Sequence, residues 1–99
     1  MFATLKAKRE LSDRLATLLE ATPEAERPML MEQMVEAFVA GGRLADVAAG
    51  AIRRESPMEF ALDLIETNED LYPYLSLNPK AAERAMQARD PMQLVTTLA

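Results

Sequence analysis

Apolar residues recur along this chain every three or four positions, and no stretch alternates apolar with polar residues over the length of a strand. β-branched residues are few. That periodicity predicts helices throughout. In the first segment Leu5, Leu11, Leu15, Leu18 and Leu19 share a face, with Lys6, Arg9, Asp13, Arg14 and Glu20 largely off it, so an amphipathic helix is expected from about Phe2 to Glu20. Pro28 could not sit inside a helix begun at Pro23 without removing a backbone bond. A turn or short irregular helix is therefore expected over Pro23 to Arg27, followed by a second helix from Pro28 to Ala40. Its apolar residues, Leu30, Met31, Met34, Val35, Phe38 and Val39, cover more than half its circumference. Such a helix is either the most buried in a small domain or shared between a core and an interface, and it is expected at the centre of the fold. Gly41-Gly42 ends it, because glycine tolerates the left-handed backbone of a helix terminus.

A third helix is expected over about Arg43 to Glu55, rich in small residues, with Ala45 and Ala49 one turn apart and open to a close backbone neighbour. Ser56-Pro57-Met58-Glu59 then has the form of a capping box. The fourth helix it starts should run to about Asn68 and bury Met58, Ala61, Leu62, Leu64 and Ile65. Leu71 to Leu75 is apolar but interrupted by Pro73, which predicts an irregular or one-turn segment. Asn78-Pro79 and Asp90-Pro91 are further helix starts, opening helices over Pro79 to Arg89 and Pro91 to about Leu98. Pro-Met at Pro28-Met29, Pro57-Met58 and Pro91-Met92 reads as a shared way of starting helices, since the unequal spacing argues against a structural repeat. The expected fold is all-α: one domain over residues 1–99, a compact bundle of five to six short helices without strands.

Composition narrows the chemistry. With 99 residues the core is thin, and a second copy or a partner would help cover it. Arg outnumbers Lys and Ala is abundant, in keeping with a GC-rich bacterial or phage genome. The segment has neither the apolar run of a membrane span nor the uninterrupted apolar stretch of a leader, so a cytoplasmic location is the default. No Cys and no His are present, which removes thiol nucleophiles, the usual zinc ligands and the usual general base near neutral pH. No phosphate-binding glycine loop or nucleophile elbow occurs. An enzyme is not expected, nor a cofactor. Mg²⁺ or Ca²⁺ on Glu59, Asp63 and Glu66 would have the poor geometry of a bare helix face.

Two surfaces remain as candidates. Glu55, Glu59, Asp63, Glu66 and Asp70 step by three or four residues and so form an acidic stripe, and the segment Pro57 to Asn78, with five acidic residues and no basic one, accounts for the whole net charge of −5. Like charges at that spacing repel, which points either to a docking face for a basic protein or to solvated residues, with Glu59 held in a cap and Asp63 or Glu66 paired to arginines elsewhere. The second candidate is the Met-rich second helix, with Met31, Met34, Val35 and Val39 as a partner or dimer interface, Met being suited to adaptable binding surfaces. The expected function is a small non-enzymatic interaction module: an adaptor, inhibitor or assembly factor that binds a protein partner with a basic surface, and the module is itself expected to be a homo-oligomer. The alternative is a DNA-binding regulator, since LADVAAG and the helix after it resemble a helix-turn-helix in outline. Arg43, Arg53 and Arg54 would touch phosphates in that reading, but the would-be recognition helix carries Glu and Asp, which makes nucleic acid an unfavourable partner.

Overall fold

The structure, a computed structural model, describes residues 2–43 and 56–99. Among them are six α-helices and no strand: α1 (Phe2–Glu20), α2 (Arg27–Ala40), α3 (Pro57–Ala61), α4 (Leu71–Leu77), α5 (Pro79–Met86) and α6 (Pro91–Leu98). A 3₁₀ turn at Glu24–Glu26 precedes α2, and a π-helical turn at Leu62–Glu66 continues α3. They form the compact all-α bundle that the apolar periodicity predicts. The helix expected over 43–55, with Ala45, Ala49, Arg53, Arg54 and Glu55, lies outside the described residues from position 44 onward.

The centre is α1, not the second helix. Leu11, Leu15 and Leu19 are fully buried, and the same stripe carries Thr4, Lys8, Ser12 and Ala16 inward. α1 packs against α3 and its π turn, α4, α5 and α6, whereas α2 packs chiefly against α6. The longest helix serves as the axis because, among the described elements, it packs against more of the others than any other helix does. Its polar inward positions are satisfied both within the helix and from α4: the Ser12 hydroxyl donates to the Lys8 carbonyl at 2.9 Å, and Thr4 Oγ1 meets Ser76 Oγ at 3.1 Å. The last carbonyls of α1 have no intrahelical partner. Leu18 O and Leu19 O accept from the Thr22 hydroxyl and Thr22 N–H at 3.0 Å, and the Arg27 guanidinium donates to Leu19 O, to Glu20 O and, just beyond the helix, to Thr22 O at 3.0–3.1 Å. A cation at a helix C-terminus also complements the helix dipole.

α2 buries Met31, Met34, Val35 and Phe38. Its end is a Schellman motif: Arg43 N–H donates to Phe38 O at 2.9 Å and Gly42 N–H to Val39 O at 3.0 Å. Gly42 takes the left-handed backbone, at φ 86°. Gly41 has an ordinary φ of −81° and is needed for a different reason: a Cβ there would lie 2.8 Å from the backbone carbon of Ala99.

Ser56 caps α3, its hydroxyl accepting from Glu59 N–H at 3.5 Å. After Ala61 the ladder loosens, and Thr67 N–H reaches Leu62 O, five residues back, at 2.9 Å. Phe60, Ala61, Leu64 and Ile65 enter the core, while Met58 stays at the surface. Leu71 to Leu77 is a two-turn helix rather than the irregular segment expected. Pro73 occupies its third position, where a backbone N–H would have no intrahelical acceptor, so the proline costs no bond. At α6, Asp90 Oδ1 accepts from Gln93 N–H and Gln93 Oε1 accepts from Arg89 N–H, both at 2.8 Å.

Candidate interaction surface

The acidic stripe is largely engaged within the molecule. Glu66 accepts from Arg9 at 3.0 Å, and Asp70 accepts from Arg43 at 3.1 Å. Asp63 is half-buried, Glu59 is exposed beside the Ser56 cap, and Glu55 lies outside the described residues. The π turn contributes to this division. An i→i+5 turn shifts the phase of everything after it relative to a straight helix, so Glu66 is carried toward α1 rather than continuing the line of Glu59.

Arg43 is enclosed rather than available to a phosphate. Its side chain is 10% exposed. Its guanidinium donates through Nε and Nη2 to Leu98 O and lies 4.2 Å over the centre of the Tyr74 ring. This corrects the role given to Arg43 in the DNA-binding alternative.

A polar knot sits where α1 crosses the end of the π turn. Lys8 is 4% exposed, and its ammonium donates to Asn68 O at 2.9 Å. Burial lowers the Lys8 pKa from its usual 10.5, an effect opposed by the nearby Glu66 and Glu69 carboxylates. Asn68 is itself fully buried, and its Oδ1 accepts from Asp70 N–H at 3.0 Å. It therefore ties α1 to the start of α4. Leu5, Lys6, Lys8, Arg9 and Glu66 line a shallow cleft of about 400 Å³ beside this knot.

The Met-rich helix also divides differently from expectation. Met31, Met34 and Val35 belong to the protein's own core. Offered as a partner surface, those three are corrected: they occupy the arc of α2 that faces α6. Val39 alone of the four is exposed, at 46%. The excess apolar surface of α2 is instead carried on its outer arc, by Met29 at 69% exposure together with Val39 and Ala40.

Met29, Gln33, Glu36 and Ala40 follow one another at helical spacing on that arc, with Glu32 beside them. Met29 and Leu30 form one wall of a cleft of about 400 Å³ completed by Thr22, Ala25, Glu26 and Gln33. Glu24, Glu26, Glu32 and Glu36 are all exposed, and among the described residues none takes part in an ion pair. No basic residue occurs between Arg27 and Arg43, and Arg27 is held at the end of α1. Sequence reading passed over this face because its carboxylates are interleaved with core positions. The signal available was the absence of any cation between residues 27 and 43.

Among the described residues no three His, Cys, Asp or Glu side chains converge to hold a metal, and no helix is long and apolar enough to cross a membrane. Compared with known proteins, the chain matches no family model, no curated protein and no solved structure.

Proposed function

We propose that the protein is a small non-enzymatic interaction module, an adaptor, inhibitor or assembly factor, that docks a protein partner with a basic surface. One observation supports this reading: the exposed Met29 cleft lies beside Glu32 and Glu36 on α2 and Glu24 and Glu26 on the turn before it, and among the described residues none of the four takes part in an ion pair. Glu32 and Glu36 stand one turn apart and destabilise the free helix by a few tenths of a kcal/mol, on the order of 0.3. A cationic partner would reverse the sign of that term. The same charge argues against self-association through this arc, because a two-fold interface would set Glu32 and Glu36 against their own copies.

Affinity recovery from nuclease-treated source-cell extract tests the proposal, comparing wild type with Glu26→Gln/Glu32→Gln/Glu36→Gln and with Glu59→Gln. A discrete protein kept by wild type and Glu59→Gln but lost by the triple variant is the expected result. No protein retained by wild type, even at low salt, would sink the reading.

A further inference from the structure

Resting on that reading, we infer that the Met29 cleft is the recognition site for a basic amphipathic helix, which inserts one large apolar side chain between Met29, Leu30 and Ala25 and sets its lysines or arginines against Glu26, Glu32 and Glu36. The cleft of about 400 Å³ has room for a bulky apolar side chain together with part of the backbone that carries it. It is open at the surface, so its occupant must arrive on a larger body. Charge identifies that body. Glu26 borders the cleft, and Glu32 and Glu36 continue along the same arc one turn apart, about 6 Å by the helical rise. Cations at i and i+4 of a partner helix have the same spacing, so one helix laid along α2 meets both carboxylates while its apolar face covers Met29. Val39 and Ala40 extend the apolar contact toward the C-terminal end of α2. Among the described residues the partner's cations meet no competing positive side chain on this arc, because Arg27 is turned to the carbonyls of Leu19, Glu20 and Thr22.

The probe is a fluorescein-labelled synthetic peptide of about 14 residues, with leucines on one helical face and lysines at i and i+4 beside it, read by fluorescence anisotropy against the full chain. Its control is the same peptide with glutamate for lysine. Binding of the lysine peptide and not the glutamate peptide is expected, with affinity falling as salt rises from about 0.05 M to about 0.5 M. Glu32→Lys/Glu36→Lys should weaken binding about tenfold or more, and Met29→Ser by a similar factor, with helical circular dichroism unchanged. A charge-matched variant on other faces, Glu59→Lys/Glu83→Lys, should bind within about twofold of wild type. Equal loss in the two charge variants would mean attraction by net charge alone and would overturn the site. Loss only in Glu59→Lys/Glu83→Lys would overturn it while leaving an interaction module acting through another face. Absence of any binding by wild type at low salt would overturn the site too, and the extract experiment then decides the broader proposal separately.

Discussion

Replacing Arg43 with alanine tests the account of how the bundle is closed. The side chain leaves α2 immediately after the left-handed Gly42 and reaches two further elements at once: the last turn of α6 through Leu98 O, and α4 through both Asp70 at its start and the Tyr74 ring. A charged donor to a carbonyl contributes about 1.5–3 kcal/mol, the ring contact about 0.5–1, and the Asp70 pair, whose carboxylate is a third open to water, at most about 1. Allowing for overlap between these, Arg43→Ala should cost about 3–4 kcal/mol, since it also leaves the Leu98 carbonyl without its cation. In a domain of this size a loss of about 3 kcal/mol lowers the melting temperature by about 12–24 °C. Urea titration followed by circular dichroism is the assay, with the thermal melt as a cross-check. Arg43→Lys keeps the charge but not the planar fork and should lose about half as much. Asp70→Asn should cost under about 1 kcal/mol. An Arg43→Ala protein within about 0.5 kcal/mol of wild type would refute the claim that this guanidinium ties α2, α4 and α6 together.

The two glycines after α2 should respond to substitution for different reasons. Gly41→Ala drives a Cβ against Ala99 and should cost about 1–3 kcal/mol, whereas Gly42→Ala meets no atom and costs only the left-handed strain, about 1–2 kcal/mol. Asparagine, which tolerates that backbone, should recover stability at Gly42 and not at Gly41, as thermal melts would show. Lys8 provides a pH test. Its pKa is lowered on folding, so between the folded value and 10.5 the unfolded chain holds the proton more tightly and stability rises with pH. Urea midpoints from about pH 8 to about pH 11 should therefore rise for wild type relative to Lys8→Met, and parallel curves would count against a buried Lys8.

Element boundaries were the most legible part of the fold. Proline and its capping neighbours fixed the starts of α3, α5 and α6, and Gly41-Gly42 fixed the end of α2, because these signals act within a few residues. Pro73 misled for a related reason: proline reads as a breaker until its place in the first turn is known. Which helix is central was not legible from apolar count. α2 has more apolar positions around its circumference, but α1 is longer and buries Lys8 and Ser12 among its leucines. A polar residue on a buried stripe looks like an interruption in sequence and becomes an anchor only when Asn68 arrives from another element.

The acidic surface shows the same limit from the opposite side. Helical spacing establishes that Glu59, Asp63, Glu66 and Asp70 could share a face, but availability to a partner depends on cations supplied from elsewhere. Arg9 comes from α1 and Arg43 from the end of α2, and both lie far away in sequence from the carboxylates they meet. Conversely, Glu26, Glu32 and Glu36 look ordinary in sequence because they alternate with core residues, yet no cation among the described residues pairs with them. A charged face is therefore identified by its unpaired remainder after folding, not by its density along the chain. By that criterion the outside of α2 is an electronegative surface left without cations among the described residues, and under the proposed reading reversing the charge of Glu32 and Glu36 should affect partner binding more than the same reversal at Glu59 and Glu83.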